Sequence, residues 1–294
     1  MTERPPCVVN IADIPGEPRP RFTPTPGVAA MVRSPGDRTG LTRMGVHVRA
    51  IEPGFAGTNR HFHTVEEEWA YVLAGTGVVR IGPLRIGVRP GAFVGFPPGP
   101  RPHHFLAEGT EALVLLEGGE RRPTEDSGWY PDARKMGFHG KTVEPYREPP
   151  PEEGDPGQVV RGDDVEVTEL EHDLDPSVRQ RVRALHATTG LARQAVRLVQ
   201  VAAGSPSTAL HTHDRTDEWV FILSGRATVC VGESTFAVEP DDFVSHPAGS
   251  PAHMMMALDA LTYLVGGQVD AADVVTYPEA KRRRVGGRLE PLPG

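Results

Sequence analysis

Residues 61–75 read HFHTVEEEWAYVLAG and residues 211–225 read HTHDRTDEWVFILSG, so a shift of 150 positions lays one stretch on the other. The same shift aligns TGLTRMGV (39–46) with TGLARQAV (189–196), and PGAFVGFPPGPRPHH (90–104) with PDDFVSHPAGSPAHM (240–254). Across 39–103 and 189–253 there are 22 identities in 65 positions without a gap. A third identity over that length, with no insertion, marks a duplicated domain. The whole chain is therefore read as two copies of one fold.

Inside each copy the pattern is short apolar alternation broken by glycine and proline: WAYVLAG, TGVVRIG, IGVRPGAFVGF and EALVLLEGG in the first. One strand every ten residues or so is the signature of an all-β barrel or sandwich. The 33 glycines and 30 prolines, with an apolar fraction of 38%, agree with short strands and many tight turns. The stretch KTVEPYREPPPEEGDPGQVVRGDD (141–164) is rich in Pro, Glu and Gly, which puts a linker over 146–164. The division that follows is an arm and first domain over 1–145 with its core at 39–120. A second domain then spans 165–294, with its core at 189–268. Residues 1–18 and the phrase IPGEPRPRFTPTPG read as an extended arm outside the core. A helix is expected ahead of the second copy, N-capped by Asp175 with Pro176 in its first turn and Val178, Val182 and Leu185 as its apolar stripe. WYPDARK (129–135) and TYPEAKR (276–282) repeat with a shift of 147 and read as a turn that docks the end of each copy.

A net charge of −8 disfavours nucleic acid and anionic membranes as partners. Cys7 and Cys230 have no CxxC spacing, which argues against a disulfide framework and for a reducing compartment. No apolar leader and no run of eighteen apolar residues occurs, so a cytoplasmic protein is expected.

Alternate residues of a strand share a face, so His61 and His63 project together, as do His211 and His213. Of the three glutamates 66–68, Glu66 aligns with Thr216 and Glu67 with Asp217, while Glu68 aligns with Glu218. A third histidine follows a PxG turn in each copy, His103 and His253, whereas His104 has Met254 as its counterpart. Three imidazoles and a carboxylate converging inside a β-fold suit a divalent first-row transition metal. Four protein ligands leave one or two positions open, as a working metal centre requires.

These residues resemble the two motifs of the cupin superfamily, and the chain resembles a bicupin. The first motif, G(X)5HXH(X)3–4E(X)6G, is matched by His61, His63, Glu68 and Gly75, and by His211, His213, Glu218 and Gly225. The second, G(X)5PXG(X)2H(X)3N, is matched by Gly91, Pro97, Gly99 and His103, and by Pro247, Gly249 and His253. Both copies insert one residue between PxG and His and carry alanine (Ala107, Ala257) in place of Asn. Asp241 stands where the second copy should have the motif's glycine. The resemblance implies two tandem double-stranded β-helix (jelly-roll) barrels with few helices. It also implies one divalent metal per domain, Fe(II) favoured, with Mn(II), Ni(II) or Zn(II) as alternatives.

Fold alone does not fix activity. The favoured expectation is an Fe(II) dioxygenase acting with O2 on an aromatic or diketone-like metabolite. The alternatives are a Mn, Ni or Zn enzyme without redox chemistry (decarboxylase, isomerase or hydrolase) and a metal-bearing small-molecule binder without turnover. Ala70, Tyr71, Phe96 and Phe105 are candidates to wall a substrate pocket. Val220 narrows the position equivalent to Ala70, and Met254, Met255 and Met256 are candidates to line the second cavity. Arg60 and Arg101, opposite Leu210 and Pro251 in the other copy, are candidates to meet an anionic substrate. Glu67 is the candidate general acid or base. Exposed strand edges invite a homodimer.

Overall fold

The computed structural model describes residues 4–19, 27–138, 142–145 and 152–293. Parts of the expected arm (20–26) and linker (146–151) lie outside them.

Each copy is a jelly roll built from three antiparallel sheets. In the first, a seven-stranded sheet runs in the order 159–161, 92–96, 68–74, 113–120, 44–51, 30–33, 17–19. A three-stranded sheet (103–107, 77–81, 84–88) faces it, and a four-stranded sheet (142–145, 135–138, 127–130, 62–63) closes one end. The second copy repeats all three sheets strand for strand. Among the described residues the ladders remain separate sheets and do not run on into one closed barrel.

The strand Glu68–Ala74 shows why the sequence takes this form. Glu68, Ala70 and Val72 face the interior of their own domain, with Ala70 and Val72 joining Val79, Val94 and Leu115 in its core. Trp69 and Tyr71 face the other way, into a core shared by both domains that also holds Phe93, Trp219, Phe221 and Phe243. Trp69 and Trp219 stack there with ring centroids 5.0 Å apart. A strand buried on both faces reads as the near-continuous apolar run seen in the sequence. Gly118 and Gly266 make room for the two indoles: a Cβ at either would lie 2.6 or 2.5 Å from the tryptophan Cζ2. Gly75 ends the strand at φ 75°, where a Cβ would strike the Ala112 carbonyl oxygen. Asp241 takes the place of Gly91 and keeps the same turn, with φ 68° against 88°; aspartate is among the few side chains that tolerate the left-handed region.

The domains exchange strands. Val8–Asn10, at the start of the chain, pairs with 242–246 of the second domain, and Val8 is buried in that domain's core. Val159–Arg161, which the sequence reading assigns to the linker, pairs with 92–96 of the first domain. The arm is thus part of a core, contrary to expectation. Its signal is a further repeat, VVNIADI (8–14) against VVRGDDV (159–165), offset by 151.

The expected helix at 175–185 is a ten-residue strand, Asp175–Ala184, followed by one short helical turn at Leu185–Thr188. Val178 and Val182 are four apart, a spacing that falls on one face of a helix and equally on one face of a strand. Pairing with 168–172 on one side and 194–201 on the other decides for the strand. Among the described residues no helix is long and apolar enough to cross a membrane.

Candidate metal centre

In the first domain, Phe62–His63 carries one ligand candidate at the edge of the four-stranded sheet, and an isolated bridge pairs His61 with His103. The seven-stranded sheet brings Glu68 to the same point. The Nε2 atoms of His61, His63 and His103 lie 3.5, 3.6 and 3.1 Å from the Glu68 carboxylate. Each Nδ1 is engaged outside the cluster: His61 with the Asn59 carbonyl at 2.9 Å, His63 with Asp126 at 2.5 Å, His103 with the Arg101 carbonyl at 3.1 Å. Donation from Nδ1–H to those oxygens fixes the tautomer that leaves the Nε2 lone pairs pointing inward.

The second domain reproduces this arrangement. His211, His213 and His253 place Nε2 at 3.8, 3.5 and 3.4 Å from Glu218. Their Nδ1 atoms meet the Ala209 carbonyl, Asp273 and the Pro251 carbonyl at 2.9, 2.6 and 3.3 Å. The buried His253 Nε2 has no hydrogen-bond partner. A lone pair of that kind, aimed at a carboxylate, is what a cation ligand looks like. Although its own burial raises it, the Glu68 carboxyl is held well below the usual carboxylate range by His63, then His103 and His61. Burial opposes a charge on His63 too, yet Glu68 and Asp126 push it up to about 9. His213 is likewise pushed up to about 9 by Glu218 and Asp273 against its burial. Each pocket is therefore electrostatically set to hold positive charge. Donor atoms of His61, Glu68 and His103 in the first domain, and of His211, His213 and Glu218 in the second, lie within 4.8 Å of one another, and Glu218 and His253 group likewise with His246. Such a nitrogen–oxygen set fits a divalent transition metal.

Asp126 and Asp273 escaped the sequence reading. Besides His63, Asp126 accepts from the amides of Val65 and Glu66 at 2.8 and 3.2 Å; burial notwithstanding, the hydrogen bond to His63 and its charge hold the carboxyl down at about 2. Tyr130 and Tyr277 lie over His61 and His211, with ring centroids 5.8 and 6.0 Å apart. The signal was present in the 147-shifted phrase, which extends backward as DSGWYP (126–131) and DVVTYP (273–278). The phrase expected to dock the end of each copy thus also lies against the candidate ligands.

Beside Glu68 opens a cavity of about 230 Å³ whose wall includes His47, Arg49, Ala70, Phe96, His104 and Phe105. Beside Glu218 opens one of about 260 Å³ with Val199, Val220, His246, Met255, Tyr263 and Val265. Met254 also lines it, while Met256 does not.

Four expectations need correction. Tyr71 faces the core between the domains, because it lies one residue from the cavity-facing Ala70. Glu67 points into the domain interface, where it accepts from the amides of Ala192, Arg193 and Gln194 at 3.0, 2.9 and 3.0 Å. Asp217 mirrors it, accepting from Thr42, Arg43 and Ala248 at 3.2, 3.1 and 3.0 Å. These carboxylates clamp the domains together and do not face the reaction space. Arg60 is buried and engaged by Asp132 and Glu152, each at 2.6 Å, and so is neutralised before any anion arrives. Arg101 pairs with Glu153 at 3.2 Å and is absent from the cavity wall.

Comparison with known proteins agrees with the geometry. The cupin domain family model matches residues 47–118 and 197–256, one match in each copy. The chain is a bicupin of the cupin superfamily. No curated protein matches it. Among solved structures, this bicupin is similar to oxalate decarboxylase from Bacillus subtilis, with a TM-score of 0.60 at 19% identity over 91% of this chain and 77% of that one. Another structure of that enzyme, described by its Mn(II) centres, gives 0.59 at 18% identity over 91% and 78%. A protein assigned as a sugar phosphate isomerase from Acidithiobacillus ferrooxidans is 30% identical over 44% of the bicupin and 85% of its own chain, with a TM-score of 0.42.

Proposed function

We propose that this bicupin is a metal-dependent enzyme that transforms a small, oxygen-rich polar molecule in the first cavity without net redox change, as a decarboxylase or isomerase does. His61, His63, Glu68 and His103 would hold the first cation, and His211, His213, Glu218 and His253 the second. A bound divalent cation supplies Lewis-acid polarisation of a carbonyl or carboxylate oxygen.

The observation that carries the reading is the polar furniture of the first cavity. Arg49 and Glu117 form a hydrogen-bonded ion pair in its wall, with N–O distances of 2.6 to 3.0 Å. Arg49 also donates to the Gly57 carbonyl at 2.9 Å, so the pair is rigid. Its carboxylate keeps lone pairs free to accept from a substrate hydroxyl. His47 lines the same space with Nδ1 on Ser34 Oγ at 2.9 Å, and burial holds its imidazole below the usual histidine value. A neutral imidazole there can take a proton from a bound substrate near pH 7. Burial pushes His104 down to about 4, which leaves it neutral as well. The oxalate decarboxylase likeness, at 19% identity, extends to the fold alone.

The second reading is an Fe(II) dioxygenase acting on an aromatic or diketone-like metabolite. Phe96 and Phe105 favour it: they meet edge to face with centroids 6.0 Å apart, and Phe96 stacks on His103 at 3.7 Å. Small Ala70 leaves room beside them.

Anaerobic reconstitution with Mn(II), Fe(II), Ni(II) or Zn(II), followed by assays on hydroxy-acid, keto-acid, aromatic and diketone panels, separates the two. The proposed reading expects turnover of a hydroxy- or keto-acid with no O2 consumed. Stoichiometric O2 uptake with Fe(II) alone would replace it with the second.

A further inference from the structure

The two cavities are not copies. Arg49 is replaced by Val199 and Glu117 by Val265, so the ion pair in one wall becomes a hydrocarbon pair in the other. The replacement is concerted, since either charge alone would be left unpaired in a part-buried wall. His104 becomes Met254 and Phe105 becomes Met255. His47 becomes Arg197, which is exposed at the mouth. Val220 narrows the side that Ala70 leaves open.

Some changes run the other way, from apolar to polar: Gly57 becomes Ser207 and Leu115 becomes Tyr263, and a third lies at the histidine cluster. Phe96 becomes His246, which is buried, lines the second cavity and stacks on His253 with centroids 3.5 Å apart and planes 3° from parallel. The stack reproduces that of Phe96 on His103, so the ring keeps its packing role while gaining two nitrogens. Its Nδ1 is buried with no hydrogen-bond partner. A buried imidazole nitrogen without a partner is costly unless a ligand completes it.

We infer that the second cavity is a binding site in its own right, for a compact apolar molecule carrying a single oxygen head group. The head sits at the Glu218–His246–His253 end, and the hydrocarbon body lies between Val199, Val220, Met255 and Val265. At about 260 Å³ the space suits a branched-chain or aromatic monocarboxylate and is too small for a drug-sized molecule, whose sites run from roughly 300 to 1,000 Å³. A polyhydroxylated ligand is disfavoured, because most of its hydroxyls would face valine and methionine; of the polar side chains in the wall, Gln180 and Ser207 are already bonded to backbone groups, which leaves Arg197 and Thr208. The first cavity has the opposite selectivity for the same reason.

Calorimetric titration of the full-length Mn(II)-loaded protein with isovalerate, benzoate and glycolate tests this. The expected result is one site per chain for isovalerate or benzoate, from which glycolate displaces the probe at least tenfold less well than the other apolar acid does. Glycolate bound in the first cavity registers separately, as heat that the apolar probe does not compete away. Val199→Arg combined with Val265→Glu installs the first cavity's ion pair and should abolish that preference. Should this variant fail to fold, Val199→Thr, nearly isosteric, should weaken the apolar probes several-fold and leave glycolate unchanged. Displacement of the apolar probe by glycolate at equal concentration, or apolar binding indifferent to both variants, overturns the inference. Apolar binding without turnover on any panel would instead count against the reaction proposed for the first cavity, so the two failures are distinguishable.

Discussion

At the scale of the residue, the candidate centre depends on which ring nitrogen faces inward. Asp126 and Asp273 settle that for one histidine in each domain by accepting its Nδ1–H. Asp126→Asn keeps an acceptor oxygen but removes the charge and weakens the orientation. Partners of this kind typically contribute about 10–100-fold in metal affinity. Competition with a chelator should therefore show the first centre at least tenfold weaker and the second unchanged; equal affinities would show that the aspartate does not orient the ligand. His47 gives a pH prediction. Burial lowers its folded-state pKa, so between that value and the unfolded value near 6.5 the unfolded chain binds more protons. Its contribution to stability is present above pH 6.5 and is lost as the pH falls toward the folded value. NMR titration should find the His47 ring still neutral when the pH passes 6.5, and a midpoint at or above 6.5 would contradict the account. The candidate ligand histidines and their glutamate are legible in the sequence because the gapless shift aligns them. The aspartates are not, since deletions between the copies reduce the shift from 150 to 147 before they are reached.

At the scale of the element, one strand does two jobs through its alternation. Glu68–Ala74 offers Glu68 and Ala70 to the cavity, and Trp69 and Tyr71 to the core between the domains. Gly118 lets this happen by leaving the Trp69 indole its space. Gly118→Ala would place a methyl against that ring and against the Gly45 carbonyl oxygen. Overpacking of that kind costs about 1–3 kcal/mol. Denaturant unfolding should register that loss, and an unchanged midpoint would show that the indole can shift freely. Alternation also explains two of the corrections. Tyr71 was placed with its cavity-facing neighbour, and Glu67 was offered for proton transfer beside Glu68, although odd and even positions of a strand look in opposite directions. The strand at 175–184 was mistaken for a helix because two valines four apart satisfy both periods, and only its partners on either side break the tie.

At the scale of the whole molecule, each domain completes the other. The arm strand Val8–Asn10 borders the second domain's sheet, and Val159–Arg161 borders the first's. Glu67 and Asp217, each adjacent to a candidate ligand, anchor on backbone amides of the opposite domain. Removing residues 1–10 takes away the strand beside 242–246 and leaves the equivalent strand beside 92–96 in place. Hydrogen exchange should then show protection lost at 242–246 and 218–224 and kept at 92–96; a uniform loss would mean that the arm does not belong to one domain's core. The doubled fold was legible because 22 identities in 65 positions fix its register. The exchange was not, because the short repeat of 8–14 at 159–165 marks two equivalent strands but does not say which sheet each one joins, and the first pairs with a strand more than 230 residues away.

The central claim is that two sets of three imidazoles and one carboxylate each hold a divalent cation. Anomalous diffraction from crystals of the purified protein, collected at the absorption edge of the metal found by elemental analysis, tests it most directly. The account predicts two anomalous peaks per chain. One should lie about 2.0–2.3 Å from the Nε2 atoms of His61, His63 and His103 and an oxygen of Glu68, and the other should sit likewise among His211, His213, His253 and Glu218. A metal-replete crystal with no peak in either cluster, or with the rings turned so that Nδ1 faces the carboxylate, would contradict it.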